Sequence, residues 1–285
     1  MPAFAPRPRS SLFQSILGSV LAPVLALVLL TQSACTVLPA ALESAETSAE
    51  QRSERTPAIS AYQQRAMGSL LLTPATVPSW QYLHLPGKKK VVFEPVVVAE
   101  RPALRVRAQQ SVSILRQRFE PALTDVGQLN FSWKASALPL GADVSDAERD
   151  DSAVRIVLSF DGDRSRLTPR THRLSEMSRL LTGEDLPFAT LMYVWSPTHP
   201  VGTVLHNPRT DRIRKLVVES GTTQLGHWGD HQRNVWADFV LAFGEAPGPL
   251  LALALMSDTD NTASRLDAWY GALRLSRETQ PGRAP

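Results

Sequence analysis

The sequence predicts a mainly β protein: a β-sandwich or jelly roll with one or two short helices, preceded by a signal peptide and a flexible tether. Three observations carry that expectation. From Trp80 onward, short runs rich in Val, Ile, Leu and aromatic residues recur, divided by turn residues, which is the spacing of sandwiches and barrels. In Leu104-Arg105-Val106-Arg107-Ala108 the apolar and charged residues alternate, so one face of a strand meets the core and the other meets solvent. Helical spacing is confined to two segments, whereas a parallel sheet would alternate every strand with a helix.

The N-terminus comes first. Met1 to Ser10 carries Arg7 and Arg9 and no acid, Leu12 to Leu30 is almost wholly apolar, and Gln32-Ser33-Ala34 leads to Cys35, the single cysteine. Basic, apolar, then small is the layout of a secretory signal. A cysteine directly after Ser-Ala resembles a bacterial lipoprotein processing site, although Gln32 stands where a Leu is usual. Acylation of Cys35 also accounts for a lone thiol in an oxidising compartment. The alternatives are cleavage after Ala34 with a free thiol, or retention of the apolar run as a membrane anchor. In the lipoproteins it resembles, Thr36 rather than Asp after the cysteine directs the product to the outer membrane. The expected partition is 1–34 signal peptide, 35–77 lipidated N-terminus and tether, 78–278 sandwich domain and 279–285 disordered tail.

Ala40 to Arg65 is rich in Ala, Glu, Ser, Thr, Gln and Arg and cannot bury enough surface to offset its ordering entropy. Tyr62, Met67 and Leu70 to Leu72 are the first residues able to dock onto a core. Strands are then expected at Val91 to Val98, Leu104 to Ala108, Ser111 to Arg118, Leu129 to Ala135 and Ala153 to Phe160. Phe188 to Trp195, Ile213 to Glu219, Leu250 to Met256 and Trp269 to Leu275 complete the set. One helix is read from Leu174, Met177, Leu180 and Leu181, closed by Gly183. A second follows Arg233-Asn234 through Val235, Phe239, Ala242 and Phe243, with Gly244 placed to end it in a left-handed conformation. Asp238, four residues beyond Asn234, shares its face.

The pattern His227-Trp228, Arg233-Asn234-Val235, Asp238-Phe239, Phe243-Gly244, Ala254 to Thr262 and Ala268-Trp269-Tyr270-Gly271 is distinctive. With Phe131-Ser132-Trp133-Lys134 and Asp150 to Ile156 it resembles the bacterial domain-of-unknown-function 3047 family, over roughly Trp80 to Leu275. That resemblance implies an exported β-sandwich and no particular activity. Ser257, Ala263 and Ala272 depart from the Thr, Gly and Asp expected of the family.

Charge excludes one class of partner. The formal charge is +3, and removing the signal with its two arginines leaves +1, whereas a nucleic-acid reader shows a clustered basic face. Lys88-Lys89-Lys90, after Pro86-Gly87, reads as a solvated turn entering a strand. The densest chemistry is Asp258-Thr259-Asp260-Asn261-Thr262. Asp258, Asp260 and Asn261 are oxygen donors of the kind Ca2+ takes, while the alternative is that they cap backbone amides in a tight turn. It is no EF-hand: Ala263 occupies the glycine position and the closing Glu is missing. Asp150 and Asp151 are the candidate acid and base for glycoside cleavage, and a plain solvated loop is the alternative.

His227 and His231 stand at a metal-ligand spacing, but Gly229 between them argues against one helical face. No Gly-x-Ser-x-Gly elbow or phosphate-cradling loop appears. Trp195, Trp228, Trp236, Trp269, Tyr193 and Tyr270 either pack the core or stack on sugar rings, and Trp228 in its Gly-flanked loop is the expected exposed one. Trp228, Arg233 and Asn234 are accordingly the candidate ligand-binding set. Three functions fit: a lipid-anchored module binding a glycan or envelope protein, a carboxylate-dependent envelope glycan hydrolase, and a structural lipoprotein without small ligand. Binding is favoured because it requires no reacting pair.

Overall fold

The computed structural model describes residues 69–73, 79–83 and 85–276. The expected signal peptide, Cys35, most of the tether and the C-terminal tail lie outside the described residues. Two sheets face each other. The first contains β1 (Ser69–Leu72), β3 (Phe93–Val98), β4 (Arg101–Gln109), β6 (Gln128–Ala135), β11 (Gly229–Asn234), β13 (Arg265–Tyr270) and β14 (Leu273–Ser276), in the order β1-β14-β6-β13-β4-β3 with β11 also paired to β6. The second runs β2 (Gln81–Leu83), β5 (Val112–Leu123), β12 (Leu250–Asp258), β7 (Ser152–Phe160), β8 (Ala189–Ser196), β10 (Ile213–Ser220) and β9 (Val204–His206). The mainly β sandwich with two helices is therefore as expected.

Alternation fixes which side chains lie between the sheets. Leu129, Phe131 and Trp133 of β6 point inward, and Phe131 stacks on Tyr193 of β8 with centroids 5.7 Å apart. Trp133, Trp195, Tyr193, Tyr270 and Phe160 are fully buried, so most of the aromatic set packs the core. Burial of each such side chain contributes roughly 1.5–3 kcal/mol relative to exposure.

Four details differ from expectation. Ser69–Leu72, inside the stretch read as tether, pairs along β14 and extends the first sheet. The expected single strand at Trp269 to Leu275 is two collinear strands along one edge of β6. Tyr270 faces Trp133 and Arg274 faces Asn130, which leaves one extra residue at Gly271-Ala272, a β-bulge. A Cβ at Gly271 would come within 2.2 Å of Ser132 Oγ and force that hydroxyl to turn, while the Gly271 amide donates to the Ser132 carbonyl at 2.9 Å. Third, β8 and β10 are parallel, and the small β9 returns along the outer edge of β10.

The fourth concerns α1 (Pro169–Thr182). Its ends read correctly: Thr168 caps the Thr171 amide, and Gly183 ends it at φ 79°. Yet the face it buries is hydroxylic, with Thr171 and Ser175, while Met177, Leu180 and Leu181 point outward. α2 (Val235–Phe243) is conventional: Val235 and Phe239 are buried, and Phe239 meets Phe160 edge-on at 4.7 Å.

Candidate functional site

Register places a polar groove on the outer face of the first sheet. Directly opposed residues share a face, so Gln232 of β11, Asn130 of β6, Arg274 of β14 and Leu71 of β1 form one row across four strands. Asp230 and Ser132 form the next row, which ends at the bulge, where Ala272 offers only a methyl group. Arg101 and Pro102 close the side, and the whole encloses about 800 Å³. With strands about 4.8 Å apart, Gln232 and Arg274 lie roughly 10 Å from one another. Among the described residues, no hydrogen bond uses the side chains of Asn130, Gln232 or Arg274.

Trp228 stands at the rim. Continuing the β11 register, it lies beside Lys134, whose other cross-strand neighbour is Trp269. It is half-buried rather than freely exposed, with the Arg101 guanidinium 4.9 Å from its ring and Arg101 in turn forked onto Asp230 at 2.6 and 3.3 Å. Trp236 on α2, 40% exposed, is the more open tryptophan. The other two predicted binding residues are consumed by the fold. Arg233 forks onto the buried Asp238 at 2.5 and 2.9 Å, and Asp238 also accepts from Tyr193 Oη at 2.8 Å. Asn234 is the α2 cap, accepting from the Ala237 amide at 2.9 Å. Asp238 thus pairs with Arg233. Behind the groove, buried Glu219 accepts from Trp133 Nε1 at 2.6 Å and lies 3.3 Å from His231 Nε2. His227 is exposed and apart from this pair.

A second region gathers the acidic residues at the shared end of β7 and β12. Asp150 accepts from Arg155 at 2.9 Å and from Lys215, which also donates to the Val144 carbonyl at 2.6 Å. Asp151 is fully buried and accepts from the Asn261 and Thr262 amides and the Thr262 hydroxyl, at 3.3, 2.7 and 2.7 Å. Asp150 and Asp151 are therefore committed to internal partners and offer no free acid and base. Burial, reinforced by Arg155, lowers the Lys215 ammonium to about 8.

Asp258, Asp260 and Asp151 bring carboxylate oxygens within 4.8 Å of one another. Of the expected trio, Asn261 is exposed and its amide nitrogen reaches toward the Ala147 carbonyl at 3.5 Å. Asp151 is the third carboxylate of the cluster. Burial, against the pull of Arg155 and with Asp260 adjacent, raises the Asp258 carboxyl to about 8. Against its own burial, the Asp258 hydrogen bond and Lys88 hold Asp260 below its usual range. These residues do not fit a calcium site, which takes six to eight oxygens. Three carboxylates are present, Asp151 already accepts three hydrogen bonds, and Arg155 lies 3.9 Å from Asp258. The turn itself is strained at Ala263, with φ 53° where glycine is at ease.

A cleft of about 500 Å³ crosses the outer face of the second sheet beneath α1. Its floor is apolar, with Ile114, Val157, Met192 and Ala254, and its rim is self-paired: Arg116 and Arg118 both hold Glu184, at 2.6 to 2.9 Å. Sequence reasoning missed the groove because Asn130, Ser132, Gln232 and Arg274 come from three strands and share no motif. The alternation of β6 was legible; that β11 is a strand at all was not, since Gly229 to Asn234 holds no apolar residue.

Among solved structures, the N-terminal xylanase 10B of Clostridium thermocellum, carrying CBM22-1 and GH10 modules with xylohexaose, is similar at 13% identity and TM-score 0.32. The similarity covers 73% of this chain and 28% of that one, so the chain spans under a third of that enzyme. The xyloglucanase domain of NopAA, a type three effector from Sinorhizobium fredii in complex with cellobiose, matches at 9% identity and TM-score 0.32 over 70% of this chain and 96% of that one. The family 11 xylanase of Neocallimastix patriciarum matches at 9% identity and TM-score 0.28, over 72% and 95%. Likenesses this distant assign neither ligand nor activity. A search of the curated proteins returned no match. The family profile is different in kind: it spans residues 78–274, nearly the whole sandwich and more than half of the sequence, and the chain accordingly belongs to the family described as "Protein of unknown function (DUF3047)".

Proposed function

We propose that this is an exported, lipid-anchored envelope protein whose sandwich binds a glycan or another polyhydroxylated envelope component without transforming it. Cys35 is the acylation site in this reading and the outer membrane the destination. The observation that carries the binding claim is the groove row Gln232, Asn130, Arg274. Two amides and a guanidinium line a concave surface with donors and acceptors that no described residue uses. Amides hydrogen-bond vicinal hydroxyls as donor and acceptor together, and a few such groups in a concavity fix a ligand's orientation. Trp228 at the rim adds a flat apolar edge. Catalysis is disfavoured because Asp150 and Asp151 are tied to Arg155, Lys215 and the 261–262 amides.

The test is affinity electrophoresis of the full chain through gels containing peptidoglycan fragments or neutral polysaccharides. Retarded migration that disappears in Asn130→Ala/Gln232→Ala, with the unfolding midpoint unchanged, is expected. A wild-type protein that no polymer retards would overturn the proposal, as would a double variant retarded equally.

A further inference from the structure

α1 is amphipathic the wrong way round for a helix resting on a protein core. The face it turns to the domain carries Thr171 and Ser175, bound to Thr210, Asp211 and the Leu186 amide through their hydroxyls. The face it turns outward carries Met177 (57% exposed), Leu180 (85%) and Leu181 (59%). Positions 177, 180 and 181 are neighbours on a helix surface, so the three form one contiguous apolar patch. None of them packs against any apolar cluster of the domain. Folding alone gives no reason for leucines to sit in water on this face; contiguous exposed apolar surface marks an interaction site.

The charge pattern selects the occupant. Arg170, Arg173 and Arg179 are exposed on the same helix, and Glu176 is its one acid. Among the described residues none of the three arginines has a carboxylate partner; Arg170 reaches only the Pro208 carbonyl, at 3.3 Å. An apolar strip bordered by unpaired arginines is the composition of helices that lie in the interface of an anionic bilayer, with leucines among the upper acyl segments and guanidinium groups at lipid phosphates. We propose that α1 docks the domain onto an anionic lipid surface. A second copy of the chain is a poorer occupant, since a self-complementary contact would oppose arginines to arginines. The inference needs no acyl group at Cys35 and no ligand in the groove, so it stands or falls separately from the proposed function.

The test is hydrogen exchange of the full chain with vesicles of phosphatidylcholine alone or mixed with phosphatidylglycerol. Slowed exchange within 169–182 on the mixed vesicles is expected, because insertion of the N-terminal apolar run alone would leave those amides untouched. Leu180→Ser/Leu181→Ser should weaken vesicle-dependent protection about tenfold or more. Each of Arg170→Glu and Arg173→Glu should weaken it about fivefold, at low salt above all. These positions are exposed, so the variants should fold as the parent does. No protection of 169–182, equal protection on uncharged vesicles, or protection that follows protein concentration without lipid would each overturn the proposal; the last would indicate self-association.

Discussion

The groove and the carboxylate network are built from similar residues and behave in opposite ways. In the network, Asp150, Asp151, Asp258, Asp260, Arg155, Lys215 and Lys88 answer one another at the closed end of the sandwich. In the groove, Asn130, Gln232 and Arg274 point into open space with nothing to answer them. Dense polar sequence therefore marks internal wiring here, and dispersed polar sequence marks the surface able to meet a ligand. The physical reason is desolvation: a buried charge must be matched within the fold or it destabilises it, whereas a groove residue keeps water until something replaces it.

The sharpest contrast is in stability. Asp150→Ala removes the carboxylate that buried Lys215 is bonded to and leaves Arg155 with Asp258, 3.9 Å away, as its nearest counter-charge, and is expected to cost about 3–5 kcal/mol in denaturant unfolding. The same network gives a pH signature. Lys215 loses its proton near 8 in the folded chain, against about 10.4 when unfolded. Between those values the unfolded state binds more protons, so stability rises with pH; below about 8 the penalty for the buried ammonium is fully present. Lys215→Met should flatten that limb, and a limb that persists would assign it elsewhere. Arg233→Ala removes the fork on Asp238 and is expected to cost about 1.5–3 kcal/mol, and Asn234→Ala about 1 kcal/mol through the lost cap. Ala263→Gly should stabilise by up to about 1 kcal/mol by relieving the left-handed turn. Groove substitutions such as Gln232→Ala should stay within about 0.5 kcal/mol. Adding calcium or chelator should leave the transition of the native sequence where it is.

Much of the fold was legible. Alternation located β4, β6 and the long strands of the second sheet, and Gly183 and Gly244 ended both helices where expected. What escaped depended on partners. β11 and β9 are strands because an edge was available to pair with. The bulge at Gly271 is fixed by Ser132, far away in sequence. The apolar spacing of Leu174, Met177, Leu180 and Leu181 located α1 correctly and left its buried face open, since periodicity reveals that a stripe exists and not what it meets. For the site, Arg233 and Asn234 looked available in sequence because Asp238 and the Ala237 amide, their partners, become so only once the helix forms.

The most direct single measurement is the affinity-gel comparison of the full chain with Asn130→Ala/Gln232→Ala, each paired with its unfolding midpoint. A groove that binds and a network that holds predict retardation for the wild type, free migration for the variant and the same midpoint for both. Retardation undiminished in the variant, or lost only in step with a falling midpoint, would contradict it.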